Sequence, residues 1–199
     1  MSLMKDYSGK FKPDLQLRDF SEDALRRLWK VGGDLYTGFQ ELWVEAIKEK
    51  FGEQTAIELS GRVWMGKPKT ERKGFKLRGN ENGTERQVRV TREAFNIMGD
   101  DVESLFKQLQ VDCTMGPNVE AEFDLKDKNH GIYTVIKCPY LDQLWEAGDD
   151  VMQKHVCEEL DGLGFELTAH QYNPKMQAIP LKLPVKGSKI ACQWEFKIE

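Results

Sequence analysis

The last ten residues alternate without a break. Ile190, Cys192, Trp194, Phe196 and Ile198 interleave with Ala191, Gln193, Glu195, Lys197 and Glu199. A period of two predicts a strand with one apolar and one polar face. The chain therefore contains a sheet whose apolar face must be covered, and a thiol and an indole lie on that face. Three other features are expected to converge there. They are Cys138-Pro139 at the end of an earlier apolar run, His155 with Cys157, and Asn173-Pro174 before the penultimate strand.

The cover comes from the N-terminal third. Ser21 reads as a helix N-cap, with Phe20 and Leu25 placed as a hydrophobic staple. Leu25, Leu28, Trp29, Leu35, Tyr36, Phe39, Leu42, Trp43, Ala46 and Ile47 recur at three- and four-residue spacing and predict one buried helical face. Gly32-Gly33 is a potential kink, and Gly52 a stop. A second helix over 53–65, with Ala56, Leu59, Val63 and Trp64 inward, completes a helical hairpin over 19–66.

Residues 62–92 are basic. Ten Lys/Arg face three acids, a local balance of 10 − 3 = +7 in a chain of net charge −4. Asn82-Gly83 predicts the tip of a hairpin joining Phe75-x-Leu77 to Val88-x-Val90. The insert, spanning 67–99, is either a lip for an anionic substrate or a solvated loop.

The rest, 100–199, is read as sheet and helices. Asp100 with Glu103 predicts a capping box opening a short helix. Val119, Ala121, Phe123 and Leu125 mark a strand, and Ile132, Thr134, Ile136 and Cys138 the inward face of the next. Residues 140–163 are expected to be helical, ending at Gly162, and Phe165 to Tyr172 reads as strand or helix, with strand the preferred reading. Pro180 makes the strand over 176–183 an edge or bulged one. The sum is a single α+β domain over 1–199, with a helical hairpin packed on an antiparallel sheet that carries an inserted helix.

Composition excludes several classes. The negative net charge argues against nucleic acid as a partner. No apolar run approaches the ~20 residues of a membrane span, and the first ten residues lack a secretory core. Four cysteines without such a signal point to reduced thiols in a cytoplasm. A small-molecule ligand is the expected partner, and a homodimer is left open as an assembly.

Cys138, Cys157, Cys192 and His155 are the candidate catalytic residues. As a nucleophile, a cysteine needs a nearby base or a helix N-terminus to form its thiolate. Cys138 stands just before a helix, and His155 or His170 could serve as base. Alternatively Cys138, Cys157 and Cys192 are zinc or iron ligands, though no C-x-x-C pair supports this. Trp194 and Asn173 are candidate substrate-binding residues, and Cys113 is taken as structural. Buried cysteines acting as small hydrophobes are the plain alternative.

Asp19-Phe20-Ser21 through Trp43, Phe51-Gly52, Ala56 to Trp64, Cys138-Pro139, Cys157, Asn173-Pro174 and the closing Cys192-x-Trp194-x-Phe196 carry a resemblance. In that order they resemble a largely uncharacterised microbial family similar to L-2-amino-thiazoline-4-carboxylic acid hydrolase. The closing strand also resembles the end of vinyl-reductase-like small-molecule-binding domains. The resemblance implies a hydrolase acting on a small cyclic thiazoline or amidine carboxylate. The basic insert departs from the family's pattern. A non-catalytic sensor or carrier of a small molecule or metal is the alternative.

Overall fold

A computed structural model describes residues 3–9, 11–66, 81–112 and 118–199. The hairpin strand expected at Phe75-x-Leu77 and the cysteine at position 113 lie outside them.

The closing segment is the strand β4 (Cys192–Ile198), with Trp194 and Phe196 buried. It lies inside a four-stranded antiparallel sheet of order β1 (Glu120–Asp127), β2 (His130–Lys137), β4, β3 (Met176–Lys182). Hydrogen bonding on both sides locks its register, with Tyr133 opposite Trp194 and Gly131 opposite Phe196. Pro180 is accommodated because β3 is an edge, and the register shifts between Pro180 and Lys182.

The inward face of β2 is the reverse of the one expected. Gly131, Tyr133 and Val135 face the core; Thr134 accepts a hydrogen bond from Gln193 Nε2 on the outer face at 2.9 Å. The alternation was ambiguous because both faces of β2 carry bulky side chains. Pairing with the unambiguous β4 decides the phase. Gly131 is required at its position: a Cβ there would lie 2.6 Å from Phe106 Cε2. The Phe106 ring packs edge-on against Phe123 and Phe196.

Helices later in the chain cover this face, and not the N-terminal hairpin expected there. α4 (Val102–Val111) contributes Val102, Leu105 and Phe106, all buried. Its cap is Asp101, which accepts from Ser104 N at 2.8 Å, and not Asp100. Asp100 instead pairs with Arg92. Residues 165–172, expected as a strand, belong to the helix α7 (Asp161–Tyr172). Phe165 meets Trp194, Tyr133 and Phe196, while the Tyr172 hydroxyl donates to Gln108 Oε1 at 2.6 Å. Only Ala169 and Tyr172 of this helix are fully buried, and its apolar residues are spread around it, so its pattern shows little helical periodicity. Gly162 does not end a helix but lies inside one, under the Trp194 ring.

α3 (Gly83–Phe95) replaces the hairpin expected at Asn82-Gly83. Asn82 is its N-cap, forming a capping box with Glu85. An Asn-Gly pair followed by Glu at the third helical position satisfies either motif, and the box wins here because Thr84 and Val88 find a core to enter.

At the N-terminus α1 (Glu22–Phe51) and α2 (Glu53–Trp64) form the expected hairpin. Ser21 caps α1 at 3.3 Å from Ala24 N, and Gly52 turns the chain at φ 87°. Gly32-Gly33 does not break α1. The expected burial is only partly met: Leu28, Trp29, Leu35, Phe39, Leu42, Trp43 and Val63 are exposed. No described helix is long and apolar enough to cross a membrane.

The aromatic packing predicts its own perturbation. Phe196→Ala should cost about 3–5 kcal/mol and Gly131→Ala about 1–3 kcal/mol in urea unfolding, the first by cavity and the second by overpacking.

Candidate functional site

The β2–α5 junction builds one wall. β2 ends at Lys137, Cys138 takes the N-cap position, and Pro139 opens α5 (Pro139–Ala147). Gly148 terminates α5 in the left-handed region at φ 67°. Asp149 then caps α6 (Asp150–Lys154), accepting from Met152 N at 3.0 Å.

The opposite wall is irregular. Residues His155–Leu160 form a π-helical turn, closed by a hydrogen bond from Asp161 N to Val156 O, before α7 resumes. Such turns are rare and recur at functional sites, because the inserted residue re-aims side chains at a cost in helix stability. Cys157 lies on the turn and Asp161 one residue beyond it.

The three cysteines do come together. Cys157 packs with Val135, Leu141 and Ala191, and Cys138, Cys192, Tyr133, Trp145 and Val156 border the same cluster. All three are free thiols. Burial pushes the thiols of Cys157 and Cys192 up to about 12, with Asp161 and neighbouring thiols adding to the rise. Cys138 is also raised by burial, and the amides of Leu141 and Tyr140 offset only part of it. The expected activation by a helix N-terminus is thus outweighed by desolvation. At neutral pH these groups are thiols, and none is a ready nucleophile.

Among the described residues, no group of three or more His, Cys, Asp or Glu is placed to hold a metal ion. The sulfurs share a cluster without sharing a coordination geometry, which removes the support for a zinc or iron site at Cys138, Cys157 and Cys192.

His155 adjoins this wall. Its Nδ1 lies 2.9 Å from Glu159 Oε2, and its Nε2 is buried without a partner. The Gln153 Nε2 amide and the Trp194 indole N–H are likewise buried without a proper hydrogen bond. Their polar neighbours are the sulfurs of Cys157 and Cys192, which are weak acceptors. Glu41 of α1 also buries one carboxylate oxygen without a partner. Its charge adds to the burial that lifts Tyr140 to about 12.

The group that sequence reasoning missed is Asp161. No described residue hydrogen-bonds to its carboxyl, and burial alone raises it from 3.8 to about 7. The residue keeps some accessible surface, while the surrounding protein sets the field of its carboxyl. Its charge is felt by Cys138, Cys157, Cys192, Tyr133 and Tyr140. The signal was in the sequence: Asp161 follows Cys157 by four residues, a same-face spacing on a helix. A reading centred on thiols passed over it.

Trp194 lies at this site, under Gly162 and beside Cys192. Asn173 does not join it. Its side chain donates to Asp100 O at 3.3 Å and accepts from Lys175 N at 3.0 Å, shaping the turn into β3. His130 pairs with Glu195 at 2.9 Å at the far end of β4. In the described part of the basic insert, Arg89 is paired with Glu81 and Glu93. Arg92 stacks on Tyr172 and donates to the carbonyls of Ile97 and Gly99. Neither is free to form an anion lip.

Two outcomes follow from the pKa pattern. The folded state holds a proton on Asp161 that the unfolded chain loses, so stability falls as pH rises from 3.8 to about 7 and the penalty persists above that. The penalty is at most on the order of 4 kcal/mol. Asp161→Asn should therefore be the more stable protein in urea melts at pH 8, and little different at pH 4. Separately, peptide mapping after iodoacetamide treatment at neutral pH should find Cys138, Cys157 and Cys192 unmodified in folded protein and labelled once it is unfolded.

No known family model, curated protein or solved structure matches this chain.

Proposed function

We propose that the chain binds a small neutral or cationic cyclic amidine or thiazoline beneath β4 and hydrolyses it by proton transfer through Asp161. The reading rests on one observation: a carboxyl to which no described residue hydrogen-bonds, raised by burial to about 7, amid thiols, an indole and two tyrosines. A carboxyl near the ambient pH can both give and take a proton, as general acid–base catalysis requires.

In the proposed reaction the Asp161 carboxylic acid protonates the ring nitrogen of the C=N bond. Water adds to the ring carbon and returns a proton to the Asp161 carboxylate. The tetrahedral carbon then expels its ring heteroatom, which leaves with that proton, while the new hydroxyl gives its proton to the Asp161 carboxylate as the C=O forms, so the ring opens with the net addition of one water and the carboxylic acid is restored. Cys138, Cys157 and Cys192 act as an apolar lining rather than as nucleophiles, as their raised pKa values favour. The ligand carboxylate that the sequence resemblance implies has no described cation to meet it near Asp161. A neutral or cationic ring fits better, because ionised Asp161 would repel an anion.

The second reading is a non-catalytic carrier or sensor of the same class of molecule, favoured by the apolar lining and the protonated thiols. Incubation with 2-aminothiazoline and 2-aminoimidazoline, followed by mass spectrometry and calorimetry, separates the two. Hydrolysis that rises with an apparent pKa near 7 and drops at least about 100-fold in Asp161→Asn is expected. Binding without turnover would leave the carrier. Undiminished turnover in Asp161→Asn would remove this residue from the chemistry.

A further inference from the structure

We propose that α1 is the interface of a homodimer, two copies packing antiparallel about a twofold axis that passes close to Leu35.

The face in question is the apolar stripe that the described residues leave uncovered. Trp43 is 71% exposed, Leu42 68%, Phe39 62% and Leu35 56%, and Leu28, Val31 and Trp29 continue the stripe toward the N-terminus. Leu28, Leu35, Phe39, Leu42 and Ala46 follow one another by seven, four, three and four residues, so they line one side of the helix. The hairpin partner α2 takes a different side, where Tyr36 meets Trp64.

The area suits a second copy. Seven such side chains, roughly half exposed, present about 700 Å² of largely apolar surface. That exceeds the patch usual on a monomer and approaches the ≈ 800 Å² per partner of a stable interface. The segment 67–80 is a poor alternative occupant. Its sequence is dominated by Lys, Arg and Gly, and only Phe75 and Leu77 are large apolar residues.

The pattern is complementary to its own reverse. Placing Leu35 on the axis sets Leu28 opposite Leu42 and Val31 opposite Phe39, so large side chains meet in every layer. The charges reverse in the same way. Arg27 precedes the axis and Glu45 follows it on the same flank of the stripe. An antiparallel pair brings opposite signs together, and a parallel pair would bring like signs together. A twofold interface needs such self-complementarity.

Sedimentation of the full chain at micromolar concentration should show a dimer. Leu35→Glu, which sets two carboxylates against each other on the axis, should sediment as a monomer with unchanged helical circular dichroism. Because that variant could misfold, Leu35→Cys provides a second route. Its new thiols face each other across the axis, so diamide should cross-link it in high yield, and Asp34→Cys, on the neighbouring side of the helix, should not cross-link. Arg27→Glu and Glu45→Arg should each weaken the dimer at low salt, and together restore it. A monomeric wild type, an undisturbed dimer in folded Leu35→Glu, or equal cross-linking at positions 34 and 35 would overturn the proposal.

Discussion

Everything in this molecule is referred to β4. It is paired on both edges, so its register cannot slip without breaking two ladders at once. Its inward residues, Trp194 and Phe196, are among the largest fully buried side chains. Burying each contributes about 2–3 kcal/mol. The rings of Phe106, Phe123, Tyr133 and Phe165 are arranged around these two in edge-on or tilted contacts. Gly131 exists as glycine because this packing leaves no room for a Cβ.

The candidate site lies where that packing changes character. At the Cys192 end of β4 the aromatic core gives way to thiols, small residues and a carboxyl. The π-helical turn marks the boundary. It interrupts the helix that would otherwise run from Asp150 to Tyr172, and Asp161 follows directly from it. A carboxyl buried there without a partner destabilises the fold above about pH 7. Costs of this kind are retained where a group's chemistry is used, which is why Asp161 carries the functional proposal and the thiols do not. The same low dielectric that poises the carboxyl keeps the thiols protonated. Desolvation opposes charge on both.

How much of this was legible depended on how one-sided each pattern was. β4 was plain because its outward residues are polar or small and its inward ones large. The caps at Ser21 and Gly52 were plain because a cap is a local arrangement of a few atoms. β2 was read with the wrong face inward, since Ile132, Thr134 and Ile136 look as buriable as Tyr133 and Val135. Asn82-Gly83 satisfies a turn and a capping box equally well. Residues 165–172 carry apolar groups without a clear period, and only Ala169 and Tyr172 among them are fully buried. In the site, the convergence of Cys138, Cys157 and Cys192 was foreseen, but their protonation was not, since pKa depends on burial that spacing does not express.

The amino-acid sequence by itself determined the α+β class, the helical hairpin with its cap at Ser21 and stop at Gly52, and the phase of the closing strand. Each follows from local sterics or from a periodicity contained in one segment. Only the tertiary structure decided which face of β2 turns inward, that α7 is a helix, that Asp161 stands amid the thiols, and that the described residues leave the apolar stripe of α1 bare. Those outcomes depend on which surfaces meet, and a side chain's burial and charge state are properties of its neighbours in space, not along the chain.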